Sequence, residues 1–171
     1  MLFKIRGILN FSPDDKTKKH KSQSSWKRTA MINTNCDLSE YYAWFIKKRF
    51  NLELNKPLRG THVTIISDIV DHNIFDEAAK FFNGKEIDFY LETEPRTDSK
   101  HWWLRVYCQD AENIRESIGL TREPYFSFHL TIGYANEKNI THSEYILRQC
   151  KRFELISNEG RKPFNEHNIY K

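Results

Sequence analysis

Residues 2–11 carry β-branched and aromatic side chains and predict a first strand. Residues 12–35 then lose apolar content, gather Lys16, Lys18, Lys19, Lys21, Lys27 and Arg28, and keep no period of 2.0 or 3.6. They read as a basic, mobile loop, solvated rather than bound to nucleic acid, with Met31 as an alternative start. Asp37 followed by Glu40 resembles a capping box and opens a helix over 41–50, with Leu38, Tyr42 and Phe45 on one stripe that faces the core. Tyr41, Trp44 and Lys48 follow on the flank, where packing is expected for the two rings and base stacking is the competing use.

After Pro57, the run Thr61-His62-Val63-Thr64-Ile65-Ile66-Ser67 reads as a largely buried strand. A short helix over 75–83 ends at Gly84 as the C′ residue. Strands are predicted at 87–93 and 101–108, a helix at 111–117 before Gly119, a strand at 127–134, a helix at 143–149 and a last strand at 152–156. Strand and helix recur with one rhythm, and no Gly-rich turn leads from a strand into a helix. That order predicts an α+β fold of two similar lobes rather than a doubly wound sheet.

Length and composition narrow this further. A chain of 171 residues with 39% hydrophobic and 14% aromatic content supports one sizeable core, hence one domain. The apolar runs are short and broken by charge, and Met1-Leu2-Phe3-Lys4-Ile5-Arg6 has neither a long apolar segment nor a cleavage site, so neither membrane nor export is expected. Cys36, Cys108 and Cys150 are three and widely spaced, without a C-x-x-C pair, which suits reduced thiols in a cytoplasm. A net charge of +4 favours a small anionic ligand over a nucleic-acid duplex.

Candidate chemistry lies in His62-Val63-Thr64 and His129-Leu130-Thr131. Alternation along a strand sends His62 and Thr64 to one face, and likewise His129 and Thr131, while Val63, Ile65, Phe128, Leu130 and Ile132 point to an apolar core that holds the strands rigid. Two imidazoles and two hydroxyls brought together supply a base for a 2′-hydroxyl, an acid for a departing 5′-oxygen and donors for phosphoryl oxygens, with no metal or other cofactor required. Short H-x-[ST] motifs recur by chance, and His20-Lys21-Ser22 is a third match, set aside because it falls in the charged loop. His72, His142 and His167 lack any partner pattern and read as surface residues.

The paired motifs, one per half of a small chain, resemble those of the 2H phosphoesterase superfamily. Arg59-Gly60-Thr61-His62-Val63-Thr64 and Phe126-Ser127-Phe128-His129-Leu130-Thr131-Ile132-Gly133 are similar to segments of the phage anti-CBASS phosphodiesterases, which hydrolyse the cyclic oligonucleotide messengers of bacterial antiviral systems. The resemblance covers roughly residues 36–157 and leaves the basic loop aside. It implies a bilobal fold of two pseudo-symmetric antiparallel β lobes with flanking helices around a concave groove, both motifs at the groove floor, no metal and a cyclic oligonucleotide substrate; no obligatory protein partner is inferred. For a phage protein it also implies the cytoplasm of the host bacterium.

On the strand at 101–108, His101, Trp103, Arg105 and Tyr107 form a mixed aromatic and basic face. Trp103 is a candidate for stacking a nucleobase and Arg105 for meeting a phosphate, with Tyr107 and the helix residue Tyr41 beside them as substrate contacts. Tyr90, between Asp88 and Glu92, is a weaker candidate. An RNA 2′,3′-cyclic phosphodiesterase or RNA-end-processing enzyme fits the same four motif residues. A non-catalytic nucleic-acid-binding module, built from the basic loop and the aromatics, is the alternative of another class.

Overall fold

The structure is a computed structural model that describes residues 1–12, 28–34, 36–57, 59–67 and 70–152. Its elements run β1 (Leu2–Phe11), β2 (Ala30–Thr34), α1 (Leu38–Phe50), β3 (His62–Ile66), α2 (His72–Phe82), β4 (Glu86–Glu92), β5 (Arg96–Thr97), β6 (His101–Tyr107), α3 (Gln109–Ser117), β7 (His129–Tyr134) and α4 (Ile140–Arg152). The sheet order is β4-β1-β2-β3-β7-β6-β5, with every pairing antiparallel. A further pairing of β4 with β6, Tyr90 opposite Tyr107 and Leu91 opposite Val106, closes six of these strands into a barrel. Among the described residues the protein is thus α+β, a closed antiparallel barrel with four helices. Among the described residues no helix is long and apolar enough to cross a membrane.

The two faces of the sheet differ chemically. Leu9, Ile32, Val63, Leu130, Leu104, Val106, Phe89 and Leu91 are all under 3% exposed and share one cluster with Ile46 of α1, Phe75 and Ala78 of α2, Ala111 and Ile114 of α3 and Ile146 of α4. Helices have no room inside a six-stranded barrel, so the apolar face is the outer one and the polar face lines the ring. The core positions expected behind the motifs are buried as expected: Val63, Ile65, Phe128, Leu130 and Ile132 are at most 1% exposed. Trp102 is fully buried and its indole N–H donates to Ser143 Oγ at 2.9 Å, tying α4 to β6.

Several expectations need correction. Residues 30–34 of the expected loop form β2, a central strand between β1 and β3, and Met31 is 1% exposed inside it. A chain begun at Met31 would lack β1. Residues 13–27 and 35 of that loop, with His20, lie outside the described residues, as do His167 and residues 153–156 of the expected last strand.

Helix α1 starts after Asp37, but the Asp37 side chain makes no capping hydrogen bond. Glu40 is instead paired with Lys56 at 2.5 Å, and the Ser39 N–H donates to Thr61 Oγ1 at 3.4 Å. Leu38, Tyr42 and Phe45 are half-buried against the core, whereas its fully buried α1 residues are Ser39 and Ile46. Tyr41 and Trp44, expected to pack, are 56% and 55% exposed, since α1 lies on the outer face and turns its flank to water. Gly84 does take a left-handed φ of +80° after α2, the conformation that glycine adopts without strain.

Candidate active site

Strands β3 and β7 lie side by side, with Val63 opposite Leu130. Continued one residue each way, this register sets His62 opposite Thr131 and Thr64 opposite His129, all four half-buried on the inner face. The two imidazoles are therefore diagonal neighbours, a separation of roughly 7 Å in such pairs, and the charge of His129 acts on His62. The neighbouring strands extend the rows. Asn33 and Met31 of β2 stand beside His62 and Thr64, and Trp103 and Arg105 of β6 stand beside Thr131 and His129.

Each imidazole is fixed through Nδ1. His62 Nδ1 lies 3.0 Å from the Gly60 carbonyl oxygen, and His129 Nδ1 lies 2.8 Å from the Ser127 carbonyl and 3.2 Å from that of Phe126. A carbonyl only accepts, so Nδ1 carries the proton in both rings and Nε2 is the nitrogen left to take or give one. Gly60 suits this turn because its φ of +69° is strained for any residue with a Cβ. Burial lowers the His62 pKa below the usual imidazole value; the bond to Gly60 opposes this, and the charges of Arg59 and His129 add to it.

The mixed face of β6 is shared out among neighbours. Arg105 is 4% exposed and donates from Nη2 to Glu123, with its guanidinium 5.5 Å from the centre of the Tyr107 ring. Its Nε is buried and has no partner among the described residues. The Tyr107 hydroxyl donates to Glu92, which also pairs with Arg96 at 2.7 Å, and burial followed by that carboxylate pushes the phenol up to about 12. Arg105 is thus largely committed to Glu123 instead of standing open as a phosphate ligand. Trp103 is half-buried in the row with Thr131. His101 is exposed and sits on Asp98 at 3.1 Å.

Seven of the eight candidate residues, His62, Thr64, His129, Thr131, Trp103, Arg105 and Tyr107, therefore share the inner face. Tyr41 does not: it lies on α1, in ring contact with Tyr42 and Trp44. Tyr90 adjoins Tyr107, and Asp88 is held down at about 2 by the side chains of Arg6 and Lys4. His72 and His142 are exposed, against Arg28 and the Phe50 carbonyl.

Asn33 and Met31 carry no periodicity that marks them, and Glu123 meets a partner distant in sequence, so local pattern does not place these three at the site. Pro124 followed by the aromatics Tyr125 and Phe126, just before the second motif, is a signal that is legible in the sequence. Among the described residues no three His, Cys, Asp or Glu side chains gather so as to hold a metal ion. No family model matches the chain, and no curated protein or solved structure matches it.

Proposed function

We propose that the chain is a phosphodiesterase that cleaves 3′–5′ linkages of cyclic oligonucleotides, without a metal, by paired acid and base catalysis from His62 and His129. The observation that carries this reading is the pair of diagonal imidazoles on adjoining strands, each with Nδ1 bonded to a carbonyl and each followed by a threonine on the same face. The polar face that carries both motifs, where His62, Thr64, His129 and Thr131 keep partial exposure, would serve as the concave groove of a two-lobed phosphoesterase fold. In the host cytoplasm such an enzyme would remove the cyclic messengers of bacterial antiviral signalling, as the resemblance of its motifs to the anti-CBASS phosphodiesterases implies.

The lowered pKa of His62 keeps that ring neutral near pH 7, which suits it to the base. His62 Nε2 takes the proton of the substrate's 2′-hydroxyl, the 2′-oxygen bonds to phosphorus, and the bond to the 5′-oxygen breaks. His129 Nε2 protonates that leaving oxygen, and the product end is a 2′,3′-cyclic phosphate. Thr64 and Thr131 donate to the non-bridging oxygens as these gain charge. Using the substrate's own hydroxyl makes the step intramolecular, with the proximity advantage that this brings.

The test is a pair of cyclic dinucleotides with 3′–5′ linkages, one with free 2′-hydroxyls and one with 2′-deoxy sugars, followed by chromatography. Cleavage of the first alone is expected. Comparable cleavage of both would make water the nucleophile, and cleavage of neither would overturn the reading. A linear RNA ending in a 2′,3′-cyclic phosphate, run beside them, reports the RNA-processing alternative.

A further inference from the structure

The segment 121–127 leads into β7 and is held at many points. Arg115, itself 1% exposed, donates from Nε to the Thr121 carbonyl at 2.8 Å, and from Nη1 to the Ile65 carbonyl of β3 at the same distance. The Thr121 hydroxyl donates to the Glu123 carbonyl at 2.9 Å, Arg122 pairs with Glu112 at 3.0 Å, and Arg105 holds the Glu123 carboxylate. At its far end the carbonyls of Phe126 and Ser127 hold His129 Nδ1. A segment fixed in this way presents what it exposes in a defined place.

What it exposes is aromatic. Tyr125 is 76% and Phe126 60% exposed, and the two rings stand edge to face, 4.8 Å between centroids at 87°. The Phe126 carbonyl lies 3.2 Å from the His129 imidazole, so the backbone that carries both rings lies within reach of the proposed acid. Next to a scissile phosphate, the apolar flat group within that reach is the base of the attached nucleoside.

We infer that Tyr125 and Phe126 form a stacking platform for an unpaired nucleobase flanking the scissile phosphate, an inference that rests on the phosphodiesterase reading for its ligand class. Stacking needs only a π-face, so the platform tolerates any base. It selects nucleotides with exposed bases over sugar phosphates and over duplexes, whose bases are already stacked. The platform complements Trp103, which stands in the row on the opposite side of the two histidines from β2.

The experiment is calorimetric titration of the full chain with adenosine 3′-monophosphate and with inorganic phosphate, which has the anion and no base. The parent should bind the nucleotide more tightly than phosphate. Tyr125→Ala and Phe126→Ala should each weaken the nucleotide about five- to a hundredfold, and shift phosphate much less, while Tyr125→Phe should restore binding. Both alanine variants binding the nucleotide as the parent does, or a parent that prefers phosphate, would overturn the inference. The outcome is separable from that of the cyclic dinucleotide assay. A protein that loses nucleotide binding in the variants yet cleaves no diester keeps the platform and sinks the phosphodiesterase, and one that cleaves with unaltered variants does the reverse.

Discussion

Replacing Thr131 by valine tests whether each histidine works with the threonine of its own motif or with that of the facing strand. With Val63 opposite Leu130, Thr131 stands opposite His62 and Thr64 opposite His129. Directly opposed side chains have Cβ atoms about 4.5–5.5 Å apart, whereas residues two apart on one strand are separated by two rises, about 6.6 Å. A phosphoryl oxygen bound by one hydroxyl is therefore nearer the imidazole of the other motif. A preorganised donor to an oxygen that gains charge in the transition state contributes about 2.7–4 kcal/mol, so Thr131→Val is expected to lower kcat/KM roughly 10²- to 10³-fold. The Thr131 carbonyl still accepts the Ser39 hydroxyl at 2.9 Å, so the strand stays anchored. In a His62→Gln background the same change should cost at least about 1 kcal/mol less than in the parent, because groups acting together are not additive. Thr64→Val in that background should keep more of its full cost. The assay is kcat/KM for a ribose cyclic dinucleotide in the parent, the three single and the two double variants. Unchanged turnover in Thr131→Val, or stronger coupling of His62 to Thr64 than to Thr131, would refute the cross-strand assignment.

The limb of the pH profile that reports the base should lie below the free imidazole value of about 6.5, since burial and then the charges of Arg59 and His129 lower His62. Arg59→Gln should move that limb to higher pH; movement to lower pH would show the charge argument to be wrong. The same lowering has a sign for stability: the unfolded chain takes the proton first, so the contribution is present above about pH 6.5 and is lost as pH falls through the folded value. His62→Gln should flatten that part of the urea-midpoint dependence, and an equally steep variant would assign it elsewhere. Gly133→Ala would set a Cβ 2.5 Å from the Asn55 carbonyl oxygen and 3.0 Å from Leu54 Cβ, where Tyr134 and Asn55 exchange backbone bonds of 2.9 and 3.1 Å. It should cost about 1–3 kcal/mol, read as a lower urea midpoint at unchanged slope, and an unmoved midpoint would count against it.

Sequence reading went furthest where one side chain type faces one environment. In β3, β6 and β7, apolar residues alternate with polar ones because one face meets helices and the other lines the ring, so the motifs and their buried supports were legible at single residues. The same logic failed for β2. Ala30 and Ile32 are buried on the outer face and Met31 on the inner one, so the strand shows no alternation and follows a lysine-rich stretch without a visible boundary. Helix α1 misled in the other direction, as aromatics at helical spacing suggest core and Tyr41 and Trp44 face water. Arg105 looked like an open phosphate ligand, because nothing along the strand reveals that Glu123 folds over onto it.

The sequence by itself determined which residues alternate in β3, β6 and β7, hence those strands, their buried sides and the two H-x-T pairs, since these depend on neighbours two to four positions away. Only the tertiary structure decided that β3 and β7 adjoin, that β4 and β6 close the ring, that carbonyls of Gly60, Phe126 and Ser127 hold the imidazoles, and that Arg105 is spent on a carboxylate. Those facts depend on contacts between residues far apart in the chain, where local periodicity carries no information and closure of the sheet sets which side chains meet.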